Sequence, residues 1–158
     1  MPEPIAQRIL TKIDEVGSLY YRLVLVVLPS GSGKTATLRS VAQRLSARYI
    51  NVNLGLSRRL LGLTERQRAL QAGRLLDEII GNGGDAIVLL DNVELLFDPK
   101  LQQDPLRLFR ALSRRRTVAV AWNGQVQGGY LTYAEPDHPE YRRYPAGDLI
   151  VVVQSELA

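Results

Sequence analysis

"LPSGSGKTAT", residues 28–37, follows directly on the apolar run "LVLVV" of residues 23–27. A phosphate-binding loop has the pattern G-x-x-x-x-G-K-[ST] set between a strand and a helix. Gly33, Lys34 and Thr35 match its closing half, and Gly31 adds a second flexible position. The chemistry requires these types. Glycines let successive backbone N–H groups turn toward phosphate, and the N-terminus of the following helix adds its positive end. Lys34 would then reach the β and γ phosphates of a nucleoside triphosphate, and the Thr35 hydroxyl would hold Mg²⁺. Pro29, Ser30, Gly31, Ser32, Gly33, Lys34, Thr35 and Ala36 together form the expected cradle. Leu28 stands where the pattern starts with glycine. That position does not touch phosphate, and Pro29 can pre-set a turn dihedral, so altered loop geometry is expected rather than lost binding.

Working outward, strands and helices alternate, which argues an α/β fold with a parallel sheet of about five strands. "PIAQRILTKIDEVGS" sets Ile5, Ile9, Ile13 and Val16 on one helical stripe ending at Gly17. "YRLVLVVL" reads as a strand covered on both faces. A helix is expected from Lys34 to about Ser46, burying Leu38, Val41, Ala42 and Leu45. "YINVNL", residues 49–54, reads as a short second strand. A long helix is expected from about Glu65 to Ile80, with Thr64 and Gln67 as a capping box and Gly81 at its end. "NGGD" at 82–85 is a turn, and "AIVLLD" at 86–91 a third strand. Asp104-Pro105 opens a further helix that turns Leu106, Phe109 and Leu112 inward. "TVAVAW" is a fourth strand and "LIVVV" a fifth. The Tyr-, Gly- and Pro-rich stretch between them suits a hairpin or ordered loop better than a helix.

A triphosphate site needs a carboxylate for its metal. "AIVLLD" is an apolar run closed by Asp91, the Walker B pattern, and with the loop at 28–35 it points to Asp91 as the metal-linked acid. Hydrolysis further needs a group that orients or deprotonates water beside the γ phosphate. Asn92 follows Asp91 and can orient water but cannot act as a base. Glu94 is the nearest carboxylate, read either as that group or as a solvated loop acid. Asn123 in "WNG" closes the fourth strand, where open α/β sheets place ligand contacts. It touches the γ phosphate or the water, or it is simply a turn Asn before Gly.

The composition is that of one ordinary domain: 158 residues, 46% apolar and 23% charged, so residues 1–158 are taken as a single unit. No cysteine is present, which excludes disulfides and thiolate metal sites. No apolar run is long enough to span a bilayer, and "MPEPIAQRIL" does not read as a signal peptide, so a cytoplasmic protein without a membrane partner is expected. The net charge is +4, and seventeen of the twenty basic residues are arginine. That suits phosphate recognition or a solvated surface equally. Arg114, Arg115 and Arg116 close a helix where cations are favoured anyway, and DNA backbone contact is the sharper alternative. Tyr130, Tyr133, Tyr141 and Tyr144 interleave with Arg142 and Arg143, and read as loop packing before base stacking. His138 has no partners at metal-ligand spacing. Arg58, Arg59, Arg66, Arg68 and Arg74 read as a solvated helical face or a partner interface.

With the loop, Asp91 and Asn123 on successive strands, the chain resembles the core of AAA+ ATPases. The resemblance implies a three-layer fold with strand order 5-1-4-3-2 and a sensor role for Asn123. It also implies an arginine finger at Arg142 or Arg143 acting on a neighbour's nucleotide, hence a homo-oligomer. A surface arginine pair is the plainer account of those two. The sequence runs only five residues past "LIVVV", so a core without the helical lid is expected, and Asn92 stands where the family carries glutamate. At finer scale "LPSGSGKT", "LLDNVELLF" and "YAEPDHPEYRRY" resemble the BrxF family, small P-loop proteins of type 3 bacteriophage-exclusion (BREX) systems. That implies an anti-phage role beside other proteins of such a system. The functional expectation is therefore a Mg-ATP-binding protein, a slow ATPase completed in an oligomer or complex, with DNA as a candidate partner. The alternative is a nucleotide-dependent switch that barely turns over, and a small-molecule kinase is third.

Overall fold

The computed structural model describes residues 4–29, 33–81 and 86–154. Ser30, Gly31 and Ser32 of the loop, and the expected turn at 82–85, lie outside them.

Strand β1 (Leu23–Val27) is buried at every position. Its neighbours are β4 (Thr117–Trp122) and, on its other side, β8 (Val151–Val153), both parallel to it. Beyond β4 come β3 (Ile87–Asp91) and β2 (Arg48–Asn51), again parallel. The order β8-β1-β4-β3-β2 is the expected 5-1-4-3-2, an AAA+-like sheet, with β8 as its fifth member.

Side-chain alternation splits the core in two. Leu23, Leu25 and Val27 of β1 and Val118, Val120 and Trp122 of β4 face one helical layer. That layer is α3 (Val52–Leu60), α4 (Glu65–Ile80) and α5 (Pro105–Leu112). Val24, Val26, Ala119 and Ala121 face the other, α1 (Ile5–Val16) and α2 (Lys34–Leu45). Each fully buried aliphatic side chain contributes about 1.5–3 kcal/mol. The continuous apolar run of β1 is thus the signature of a strand covered twice.

The capping box at Thr64 and Gln67 is formed in both directions, and Asp104 caps α5 with Pro105 in its first turn. Two polar tethers were not foreseen. Arg8, buried on α1, donates to the carbonyls of Val153 and Gln154 and ties α1 to the edge strand β8. Arg48 donates to the carbonyls of Ile79 (2.8 Å) and Ile80 (2.6 Å), the orphan acceptors at the end of α4.

Three expectations need correction. The second strand runs Arg48–Asn51, not 49–54, and Val52 already begins α3, with the Asn51 side chain accepting from Leu54 N as N-cap. Gly55 inside that helix lowers its intrinsic propensity, which hides it from pattern reading. Ile5 and Leu45 only flank the buried cluster rather than entering it. The stretch after β4 carries more order than one hairpin: β5 (Gly124–Gln127), β6 (Tyr130–Tyr133) and β7 (Arg142–Pro145) form an antiparallel sheet of three. Its anchor is aromatic, with Tyr133 stacked on Phe97 at 3.6 Å and both Tyr133 and Tyr144 packed edge-on to buried Trp122. Tyr133 and Tyr144 thus pack this segment onto the large sheet, whereas Tyr130 lies under the Arg143 guanidinium.

Candidate nucleotide site

Leu28 is 2% exposed and packs with Val26 and Leu38, so the non-glycine start of the loop is a core residue at the strand exit. At the other end of the loop Gly33 has φ 81°, a left-handed conformation that glycine adopts freely. It precedes α2 as N-cap without a side-chain hydrogen bond, and the first turn of α2 carries no acid. Among the described residues neither a capping side chain nor a first-turn acid occupies the leading N–H groups of that twelve-residue helix, which suits a phosphate.

The elements bring four expected residues together. Lys34, at the start of α2, donates from Nζ to the Leu28 carbonyl at 2.9 Å and to Asn123 Oδ1 beyond the end of β4. Thr35 donates from Oγ1 to Asp91 Oδ2 at 2.6 Å, joining α2 to the end of β3. Burial lowers the Lys34 pKa, opposed by the negative fields of Glu94 and Asp91. Glu94, on the 3-10 turn Glu94–Phe97, is thus within electrostatic reach of the lysine. Ala36 is exposed in the first turn of α2. Pro29 precedes the undescribed part of the loop and is exposed.

Asn92 has φ 51°, and its N–H donates to Asp91 Oδ1 at 2.9 Å. Asparagine tolerates that left-handed backbone where most residues are strained. Its carbonyl accepts from Asn53 N at 2.7 Å, and the Asn53 side chain accepts from Leu95 N at 2.9 Å. Asn53 thereby pins both ends of the turn that follows Asp91.

Arg142 and Arg143 do not join this cluster by hydrogen bonds. Arg142 donates to the Gln103 carbonyl at 3.4 Å, and Arg143 stacks over Tyr130 at 3.6 Å. His138 accepts from Glu140 N in its own loop.

Tyr49 was missed. From β2 its hydroxyl donates to Asp91 Oδ2 at 2.6 Å, sharing that oxygen with Thr35, while Arg39 lies over its ring at 4.6 Å. Burial, then the Asp91 carboxylate, raises the Tyr49 pKa. The signal that could have found it is the β2–β3 register, which sets Asn51 opposite Asp91 and leaves Tyr49 on the face of α2. Asp91 is 3% exposed and accepts three hydrogen bonds, so its carboxylate is fully oriented.

The Thr35 hydroxyl and Asp91 carboxylate are hard oxygen donors in contact. Two such protein ligands, with the remainder left to phosphate oxygens and water, is the donor set Mg²⁺ takes at phosphate sites. The residues present therefore fit the metal that such a loop implies.

The fold and this cluster define the class: an α/β domain of AAA+-like topology with a helix-start lysine, a strand-end aspartate and a strand-end asparagine gathered at the C-terminal ends of β3 and β4. No protein-family model matches the chain, and no curated protein matches it. Among solved structures it is similar to PCH-2 of C. elegans, with a TM-score of 0.41 and 20% identity over 78% of this chain and 35% of that one. The chain thus spans about a third of the length of that structure. No helix among the described residues is long and apolar enough to cross a membrane.

Proposed function

We propose that the chain binds Mg-ATP and is a slow ATPase completed in an oligomer or larger complex. The observation that supports this is the pair of contacts Lys34–Asn123 and Thr35–Asp91, which draws two α2 side chains to the C-terminal ends of β4 and β3. Triphosphate would lie along residues 29–36 on the N-terminus of α2. Lys34 would exchange the Leu28 carbonyl and Asn123 for β and γ phosphate oxygens. Thr35 and Asp91 would hold Mg²⁺, which when bound neutralises charge on those oxygens. Asn123, released by the lysine, and Asn92 would orient the attacking water, and Glu94 would accept its proton as phosphate departs from ADP. Arg142 or Arg143 of a neighbouring copy would stabilise charge on the transferred group. The resemblance of three motifs to the BrxF family supports setting this activity in phage defence, with other proteins of that system as partners.

A second reading is favoured by Asn92. No carboxylate follows Asp91, and the left-handed backbone at that position suits asparagine. A nucleotide-dependent switch that binds ATP and hardly turns it over then needs only the cradle.

The test is phosphate release from ATP and Mg²⁺ across a wide range of protein concentration, beside binding of a fluorescent ATP analogue, with Lys34→Ala as control. Specific activity that climbs with concentration and vanishes in the variant supports the ATPase. Binding lost in Lys34→Ala with release at background throughout supports the switch. Binding that Lys34→Ala leaves unchanged overturns both.

A further inference from the structure

Tyr20, Tyr21 and Arg22 join α1 to β1, at the N-terminal end of the strands, opposite the candidate nucleotide site. Arg22 N donates to the Ser113 carbonyl at 3.0 Å, Val118 N donates to the Arg22 carbonyl at 2.8 Å, and Arg22 Nη2 donates to the Arg114 carbonyl at 2.9 Å. Those bonds hold the two tyrosines against the C-terminal end of α5. Tyr20 is 65% exposed and Tyr21 43%. Their rings stand edge to face with centroids 4.8 Å apart. Arg114 lies over the Tyr20 ring at 4.9 Å and Arg110 near the Tyr21 ring at 5.9 Å. Arg107, Arg114 and Arg115 are exposed, and the surface ion pairs Lys12–Glu15, Arg59–Glu78 and Arg74–Glu78 lie elsewhere.

Two grooves flank this face. One, about 460 Å³, runs between Tyr21 and Arg107, Arg110 and Arg114, with Asp104 and Tyr144 on its wall. The Asp104 carboxylate there is engaged by the Tyr144 hydroxyl at 2.8 Å. The other, about 520 Å³, is lined by Arg114, Arg115 and Arg116 together with Asp77. Arg116 is 9% exposed, and its Nη1 has no hydrogen-bond partner among the described residues. A buried guanidinium nitrogen without an acceptor is costly, and an incoming anion would supply one.

We propose that this face binds single-stranded nucleic acid, its bases stacking on Tyr20 and Tyr21 and its phosphates accepting from Arg107, Arg114 and Arg115. Exposed aromatic rings braced by guanidinium groups are the stacking platform such strands use, and arginine forks match phosphate. Duplex nucleic acid offers no unstacked base to the rings. An acidic peptide offers the charge but no flat base to stack on an exposed tyrosine ring.

The experiment is fluorescence anisotropy of the full chain with a labelled oligothymidylate of about 16 nucleotides, a duplex of equal length, and polyglutamate as competitor. The single strand is expected to bind in preference to the duplex. Tyr20→Ala with Tyr21→Ala is expected to weaken it about tenfold or more. Arg114→Gln with Arg115→Gln is expected to flatten the slope of log affinity against log salt by about 1.4. Lys34→Ala is expected to leave this binding unchanged, so failure here is separable from failure at the nucleotide site. All four substituted side chains are exposed, so melting close to wild type is expected. If a double variant does not melt cooperatively, Tyr20→Leu is read in the same way. No measurable binding, full affinity in the tyrosine variants, or displacement by polyglutamate at matched charge overturns the proposal, the last identifying an acidic protein as the occupant.

Discussion

Asp91 Oδ2 receives two hydroxyl donors at the same distance, one from Thr35 and one from Tyr49. Thr35 is an expected metal ligand, whereas Tyr49 only orients the carboxylate. Outer hydrogen bonds to a metal ligand are worth roughly ten- to a hundredfold in metal affinity. Tyr49→Phe retains the ring beside Arg39 and deletes the donor. A Mg²⁺ titration of ATP-analogue binding should show about tenfold weaker metal dependence, with metal-free binding unaltered. Equal Mg²⁺ dependence in variant and wild type would remove Tyr49 from the site.

Among the elements, the passage from β4 into β5 is the most constrained. A Cβ at Gly124 would lie 1.8 Å from the Thr132 carbonyl oxygen and 2.9 Å from Trp122 Nε1. That indole donates to the same Thr132 carbonyl at 2.9 Å, which locks the small sheet onto the large one beside Asn123. Backbone cannot yield as a flexible side chain does. Gly124→Ala should therefore cost about 2–3 kcal/mol in urea unfolding and should weaken ATP-analogue binding through the displaced Asn123. Wild-type stability in that variant would show that β5 moves freely.

For the whole molecule, the buried Tyr133 and the half-buried Tyr144 bear on stability at alkaline pH. Burial, followed by the fields of Glu94 and Glu140, raises the Tyr133 pKa well above its ordinary value. Burial and the Asp104 hydrogen bond do the same for Tyr144. The unfolded chain ionises its tyrosines near pH 10 while the folded chain keeps those protons. Stability from this source is complete below about pH 10 and falls as pH rises, because the unfolded state then binds fewer protons. Tyr133→Phe preserves the stacked ring and removes one such proton. The fall in urea-unfolding free energy above pH 10 should become shallower by up to about 1.4 kcal/mol per pH unit. An unchanged slope would mean that the Tyr133 hydroxyl titrates freely in the fold.

Read along the chain, residues 23–35 carried the strand, the helix and the lysine, because a buried strand, a turn and a helix start are all local choices. The capping box at Thr64, the helix opened by Asp104-Pro105 and the strand ending in Asp91 were legible for the same reason. The residues carrying the site were visible as types in order, and the strand order came from resemblance to a family. What only the tertiary structure decided are contacts between distant segments. α3 was hidden because its Gly55 is a poor helix former, and its fit against Ile79 of α4 lies outside any local pattern. Tyr49 reaches Asp91 across 42 residues, and Arg22 reaches Arg114 across 92. Periodicity reports which face of an element is apolar, and capping reports where it ends. Neither reports which strand will lie beside which, and that pairing, set by the packing of the whole core, assembles both the nucleotide cluster and the tyrosine–arginine face.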